Sequence, residues 1–338
     1  MKKINFAILG CGRVSEYHAK IIKKNKFSNL VAVCDKDIAK AKRLGIRFNV
    51  NYLNNYKELI DQRNKINVVS ILTESGNHYK DVIKLAPYFK YLIVEKPAAL
   101  KVEHFLKMMN ASKKNKTKIF FVQQNRFNKP VQKMYEILQK KKLGKIALCS
   151  VKLRWYRDQN YYDSDKWRGT RKLDGGVLSN QAIHHLDIML WLMGSVKKVS
   201  AFYKTRFAKI ESEDTIVINF EFSNGALGIF EATTCFRPTD KEASICLMGE
   251  KGHLEIGGKS LNKFVNYSVK GMNYNLNSFN EKIKDLYGNG HKIMYEKIIN
   301  NINYKKKYPI THNSIHYLIK ILEKSYLSGA KNKVLFLK

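Results

Sequence analysis

Three polar residues, Asn180, His184 and Asp187, stand at i, i+4 and i+7 within an otherwise apolar stretch, VLSNQAIHHLDIMLWLMG. On a helix that spacing sets them in one stripe down one face. Leu178, Ala182, Ile183, Leu186, Ile188 and the run 189–193 are apolar nearly all round, so a helix over 178–193 is expected to be buried. Buried polar groups need partners, so the stripe faces a polar network or a ligand. A histidine with an aspartate three residues on can be held in one tautomer and act as a general base. An isolated histidine would read as a satisfied core residue; three polar residues in register reverse that. His185 points off the stripe and reads as support behind it.

Lys96 is a second candidate. It follows the apolar run YLIV at 91–94 and Glu95, and Pro97 restricts its backbone to extended conformations. A lysine held at the end of a buried strand can relay a proton or anchor a negative charge. The bland reading is a surface cation whose stem lies along the protein, and position alone leaves both open. A third concentration lies at 154–171, where Arg154, Arg157, Arg168 and Arg171, four of only 11 arginines, stand among Trp155, Tyr156, Tyr161, Tyr162 and Trp167. Guanidinium forks suit carboxylates and phosphates, and aromatic faces suit a base or sugar. Arg154, Arg157, Tyr161, Tyr162, Trp167 and Arg168 are therefore expected to bind an acidic sugar nucleotide, together with Asn180 and His184. An amphipathic loop covering a sheet is the competing reading.

The elements that must position these groups begin with INFAIL at 4–9, then GCGRVS at 10–15 and the helical pattern EYHAKIIKK. A strand, a glycine turn and a helix N-terminus make an anion site. Gly10 allows the turn and Gly12 lets the backbone approach a pyrophosphate, with Arg13 and Val14 opening the helix. Ser15 stands where a third glycine is usual and is small enough to pack. Asp35 closes the second strand, LVAVCD, 23 residues beyond Gly12, near the spacing of about 20 at which a carboxylate binds the adenosine ribose. That carboxylate would repel a 2′-phosphate, so NAD is expected over NADP.

NVVSIL at 67–72, YLIV at 91–94 and KIFFVQQ at 118–124 alternate with helical stretches, which predicts a doubly wound parallel sheet. Ligands bind beyond the carboxyl ends of such strands. Thr73, Asn77, His78, Glu95, Lys96 and Gln124 lie there and are expected on the cofactor side. From about residue 125 the pattern changes. A helix over 130–141 leads to the strand KIALCSVKLRWY; segments 197–207, 214–222, 225–235, 243–248 and 252–257 then alternate like antiparallel strands. The C-terminus returns to helix. The expected fold is α/β, with an NAD-binding Rossmann domain over 1–124 and a substrate domain over 125–338 built on an open, mostly antiparallel sheet.

A length of 338 residues favours two domains. No stretch nears the roughly 20 apolar residues of a membrane helix, and no cleavage site follows MKKINFAILGCG, so no membrane association and a cytoplasmic location are expected. Cys11, Cys34, Cys149, Cys235 and Cys246 stand far apart without a C-x-x-C pair, against a disulfide scaffold or a zinc cluster, and no metal is expected. The net charge of +34 invites a nucleic-acid reading. The 51 lysines are spread along the whole chain, however, beside much Asn, Ile and Tyr, all A/T-rich codons; a nucleic-acid surface would lean on arginine. No nucleic-acid partner is expected, although a cationic cleft would attract a polyanionic small substrate.

Together the GCGRVS turn, Glu95-Lys96-Pro97 and the His184-x-x-Asp187 helix resemble the Gfo/Idh/MocA oxidoreductase family over essentially the whole length. Within it YYDSDKWRGT at 161–170, DGGVLSNQAIHHLD at 174–187, RPTDKEASICLMGEKGHLEIGG at 237–258 and YGNGH at 287–291 are most similar to UDP-N-acetyl-2-amino-2-deoxyglucuronate (UDP-GlcNAcA) 3-dehydrogenases of the WlbA/WbpB type. The resemblance implies tight NAD(H) binding, a homodimer or homotetramer formed through the open sheet, and oxidation of a sugar C3 hydroxyl to a ketone for surface-polysaccharide and lipopolysaccharide synthesis. It also implies reoxidation of NADH by 2-oxoglutarate. Many family members carry an aspartate where Asn180 stands, so base work falls on His184, oriented by Asp187, with Lys96 bonding the developing alkoxide. Another sugar or inositol dehydrogenase of the same fold, and a non-catalytic NAD-binding regulator, are the alternative readings.

Overall fold

A computed structural model describes residues 2–272, 275–285 and 287–337. Its first third alternates strand and helix as the pattern predicts: β1 (Ile4–Leu9), α1 (Arg13–Lys24), β2 (Ser28–Cys34), α2 (Ile38–Phe48), β3 (Asn51–Leu53), α3 (Tyr56–Asp61), β4 (Val68–Ile71), α4 (His78–Leu85), β5 (Tyr91–Val94), α5 (Val102–Lys114) and β6 (Lys118–Phe121). The six strands form one parallel sheet in the order β3-β2-β1-β4-β5-β6. β1, β4 and β5 are buried almost throughout, since helices cover both faces and leave no strand position for water. The strand order reverses between β1 and β4, which opens a crevice beyond their carboxyl ends, where a doubly wound sheet binds its ligand.

The second half runs α6 (Lys129–Gln139), β7 (Ile146–Arg154), α7 (Gln159–Asp163), α8 (Gly176–Asn180), α9 (Ile183–Met193), β8 (Val196–Lys204), β9 (Thr215–Phe222), β10 (Leu227–Thr233), β11 (Glu242–Gly249), β12 (Gly252–Gly257), β13 (Lys263–Val269), α10 (Gly290–Tyr304), α11 (His312–Lys331) and β14 (Leu335–Phe336). Its eight-stranded sheet, β13-β12-β11-β7-β10-β9-β8-β14, is antiparallel except where β10 meets β7. One face carries Cys149, Val151 and Leu153 into the core. The other leaves Phe202, Leu227 and Ile229 at 64%, 56% and 42% exposure. The open sheet is as the alternation predicts. β3, β13 and β14 are additional strands, short or without a strong apolar alternation to announce them.

Two differences bear on the site. The chain divides into one compact unit of Met1–Val122 with His291–Ile319 and another of Gln123–Gly290 with Lys320–Lys338, so residues 291–319 leave the domain expected to hold them. The reason is burial: Met294, Tyr295, Ile298 and Ile299 of α10 are all within 1% of full burial, and Tyr295 packs edge-on against Phe6 of β1 at 5.7 Å. The single helix expected over 178–193 is also two helices. After Asn180 the Ala182 N–H bonds the Val177 carbonyl five residues back, and α9 starts afresh at Ile183. No described helix is long and apolar enough to cross a membrane.

Candidate active site

The glycine turn sits at the crevice of the first unit. Gly10 has φ +97°, and a Cβ there would meet the Leu72 carbonyl at 2.6 Å, so only glycine fits. Gly12, the N-cap of α1, has φ −75°, and a Cβ there would meet no atom within 4 Å. Packing does not demand glycine at 12, and the space it leaves lies at a helix N-terminus, which fits a pyrophosphate. Ser15 is fully buried and its hydroxyl donates to the Gly12 carbonyl at 2.5 Å. Asp35 accepts the Cys11 N–H at 2.7 Å and the Asp37 N–H at 2.9 Å, tying the end of β2 to the turn. Its carboxylate oxygens keep acceptor capacity for ribose hydroxyls. Arg13 is exposed and Val14 half-buried beside the turn. Lys36 is drawn to Glu74 at 2.7 Å. Burial pushes the Cys34 thiol up to about 12 and the Cys11 thiol higher still, so both stay protonated.

Of the residues expected along the strand ends, several are engaged by the protein itself. Thr73 donates a short hydrogen bond to the buried Asp81, and Asn77 donates to Glu74 at 3.2 Å. His78 is buried between two backbone carbonyls, with Nδ1 2.8 Å from Pro97 O and Nε2 3.0 Å from Thr73 O. Its imidazole therefore braces the loop at the strand ends. Glu95 is also buried and turned inward. Its Oε1 lies 3.0 Å from His18 Nε2 and 3.4 Å from His291 Nε2, while Oε2 accepts the N–H of Lys96 at 2.9 Å. Burial alone would raise the Glu95 carboxyl, but the bonds from His18 and His291 outweigh it and hold the group well below the usual range. Its carboxylate is thus an internal anion, engaged by the protein's own donors. His18 and His291 lie outside the expected set, because nothing in their local sequence marks a partner 77 or 196 residues away.

In the second unit His184 lies in the first turn of α9, and its Nε2 stands 3.3 Å from the Gln124 amide nitrogen. An amide nitrogen only donates, so Nε2 is the accepting nitrogen of the ring. Gln124, expected on the cofactor side, thus supports the histidine. Asp187 has an arginine as its partner. Both its oxygens are held by Arg126, at 2.7 Å from Nε and 2.6 Å from the terminal nitrogen, and the guanidinium lies 5.3 Å over the Trp191 ring. One turn of helix was expected to choose Asp187's partner; a better-matched planar fork from 61 residues away takes it instead.

Asn180, cut off from the stripe by the helix break, donates its amide to Asp174, which also accepts the Gly169 N–H at 2.7 Å. The start of α8 rests on Glu213, whose Oε1 accepts the Leu178 N–H at 3.0 Å and lies 2.8 Å from the Tyr326 hydroxyl. Burial pushes this carboxyl up to about 8. His185 is fully buried near Trp155, and burial lowers it to about 4, so it is a neutral core residue.

The arginine–aromatic segment separates into two parts. Tyr161 is a hub: its hydroxyl accepts from Arg168 at 2.7 Å and from Gln181 at 3.3 Å, and its ring lies under Arg168 at 4.6 Å and Arg157 at 5.4 Å. The Arg168 guanidinium also lies 4.8 Å over the Trp167 ring. Arg157 also pairs with Asp240 at 3.0 Å. Arg154 and Tyr162 do not join them. Arg154 sits on the open sheet face, bidentate to Glu231 at 2.6 and 2.8 Å and 3.2 Å from Glu242, because β10 and β11 place carboxylates on either side of it. Tyr162 is buried, bonded to Thr234 at 2.9 Å. Both are engaged by their own neighbours.

Residues 4–124 match a model described as the oxidoreductase family with an NAD-binding Rossmann fold, and residues 131–255 match the GFO/IDH/MocA C-terminal domain. The chain superposes on the WlbA dehydrogenase of Chromobacterium violaceum, solved with NADH and UDP-GlcNAcA, with TM-score 0.92 and 31% identity, covering 100% of this chain and 97% of that one. The Bordetella pertussis WlbA dehydrogenase, solved with the same two molecules, gives TM-score 0.91 and 27% identity over 100% and 99% of the two chains. A myo-inositol 2-dehydrogenase of Thermotoga maritima is 25% identical over 68% of each chain. With its NAD-binding parallel sheet, open antiparallel sheet and whole-length likeness, this chain belongs to the Gfo/Idh/MocA oxidoreductases.

Proposed function

We propose that this enzyme oxidises the C3 hydroxyl of a UDP-linked N-acetylglucosaminuronate to the 3-keto sugar, as a cytoplasmic step toward a surface polysaccharide. The observation that carries the reading is the whole-length likeness, at 31% identity, to a dehydrogenase solved with NADH and UDP-GlcNAcA. Gly10, Gly12 and the start of α1 would hold the NAD pyrophosphate, and Asp35 the ribose. Bound NAD supplies the two-electron acceptor to which the C3 hydride passes.

His184 then takes the C3 hydroxyl proton at Nε2, whose single lone pair exchanges the Gln124 amide for the substrate hydroxyl. Lys96 donates to the oxygen as negative charge develops on it. Arg168, Tyr161, Arg157 and Trp167 recognise the sugar carboxylate or the diphosphate, and the existing Arg168–Tyr161 bond pre-orders that fork. Asn180 and Asp187 act through the segments they tie down. The enzyme is further proposed to be a homodimer or homotetramer through its open sheet, with NADH returned to NAD by 2-oxoglutarate.

The test is to incubate the purified protein with UDP-GlcNAcA and 2-oxoglutarate and to follow the sugar nucleotide by mass spectrometry. A product lighter by two hydrogen atoms supports the reading, and its absence overturns it. The likeness to myo-inositol 2-dehydrogenase supplies a second reading, a neutral polyol substrate. NADH formation from myo-inositol but not from UDP-GlcNAcA, read at 340 nm, would favour it.

A further inference from the structure

The YGNGH segment at 287–291 and the histidine of α1 have no part in the chemistry above, yet both end on one buried carboxylate. His18, Glu95 and His291 are 0%, 5% and 1% exposed. Their hydrogen bonds run in one direction. Ser70 and the Tyr295 hydroxyl are 3.1 Å apart, and Tyr295 stands 2.8 Å from His18 Nδ1. With the Tyr295 proton given to Nδ1, the Nε2–H of His18 donates to Glu95 Oε1 at 3.0 Å, and His291 Nε2 adds a second donor at 3.4 Å. Burial keeps the Tyr295 hydroxyl protonated and His291 neutral. The other oxygen of the carboxylate, Oε2, accepts the backbone N–H of Lys96 at 2.9 Å. One residue on, the carbonyl of Pro97 faces His78 Nδ1 at 2.8 Å.

We infer that Glu95, locked by His18 and His291, is the positioning residue for Lys96: it fixes the peptide from which that ammonium projects. The inference rests on the reading of Lys96 as the donor to the substrate oxygen, and deepens it. A carboxylate with four acceptor sites would be wasted on one backbone N–H. Held by two imidazoles, one of them bonded in turn to Tyr295, it resists thermal motion of the loop, and so does the amide it holds. Chemistry at a lysine tip is sensitive to such placement, since a displacement of about 1 Å can cost about 10²-fold in rate. His291 enters from the far end of the chain, which gives the YGNGH segment a role in setting the catalytic lysine.

The test compares Glu95→Gln, His291→Ala and His291→Gln with Lys96→Met, in the full-length enzyme with NAD and UDP-GlcNAcA. Glutamine at 291 keeps an N–H donor near the place of Nε2. Lys96→Met is expected to abolish turnover. Glu95→Gln and His291→Ala are expected to lower kcat by about 10–10²-fold with KM and NADH affinity within about twofold of the parent, and His291→Gln to recover most of the loss. Exchange of the Lys96 amide hydrogen, followed by mass spectrometry, gives a readout independent of turnover and should quicken in Glu95→Gln and His291→Ala. Parent-like kcat in both, or an unprotected Lys96 amide in the parent, overturns the inference while leaving the lysine's role standing. An active Lys96→Met overturns that role instead. Should Glu95→Gln not fold, the two His291 variants decide. The three ligand-type atoms lie within 4.8 Å of one another, so stoichiometric divalent metal in the purified protein also overturns the inference, because Oε1 would then coordinate and not accept.

Discussion

Asp187 presents both carboxylate oxygens to one guanidinium, that of Arg126, in a pair whose side chains are only 2% and 7% exposed. The pair ties α9, which carries His184, to the segment that carries Gln124. Breaking such a pair on one side leaves an uncompensated buried charge, which costs about 3–5 kcal/mol. Asp187→Asn is therefore expected to lower stability by that amount, measured by urea unfolding. If Asp187 instead served only to orient His184, the variant would lose turnover and keep its unfolding midpoint.

How far this site was legible depends on how local its contacts are. The strand–turn–helix at 4–24 and the carboxylate of Asp35 were readable because each is specified within about thirty residues, and Asp35 indeed accepts the Cys11 N–H of the turn. The stripe of Asn180, His184 and Asp187 was not readable in full. Periodicity assumes an unbroken helix, and a stretch apolar on every side carries no mark of the break after Asn180. The partners of Arg154 were not readable for a related reason: Glu231 and Glu242 stand on strands 77 or more residues on, and only the sheet register sets them beside it.

The two glycines of the turn should separate on substitution. Gly10→Ala forces a Cβ into the Leu72 backbone at 2.6 Å with φ +97°, so loss of both fold stability and NADH binding is expected. Gly12→Ala meets nothing within 4 Å, and exchanging one N-cap residue for alanine costs about 1 kcal/mol or less. NADH binding by the Gly12 variant, read from nicotinamide fluorescence, should nevertheless fall at least about tenfold, since the methyl would occupy the place of the pyrophosphate. Parent-like NADH affinity in Gly12→Ala would count against that placement.

Glu213 makes the fold pH-dependent. Its carboxyl holds a proton up to about pH 8 in the native state, against an ordinary value of 4.5. Between those values the native protein binds a proton that the unfolded chain has released, so unfolding free energy falls as pH rises, by up to about 1.4 kcal/mol per unit. The stabilisation is complete below about 4.5 and gone above about 8. Glu213→Gln keeps an acceptor for the Leu178 N–H and cannot ionise. Its melting temperature should therefore decline less than the parent's between pH 5 and pH 8.5, in paired thermal scans. Parallel declines would show that another group carries the pH dependence.

The last prediction concerns the base itself. Replacing His184 by alanine removes the accepting Nε2, and general-base help of this kind contributes about 10²–10⁴ in rate. A loss of that size in kcat is expected, with NADH affinity retained, because the fingerprint glycines and Asp35 lie elsewhere in the chain. Gln124 reaches the reaction only through the imidazole it faces at 3.3 Å. Gln124→Ala should thus cost about tenfold, by freeing the ring from its preferred orientation. Groups that act as a unit are not additive, so Gln124→Ala/His184→Ala should be no slower than His184→Ala alone. A double variant slower by the product of the two losses would mean that Gln124 touches the substrate or the cofactor directly, and the notion that it serves only the histidine would have to be abandoned.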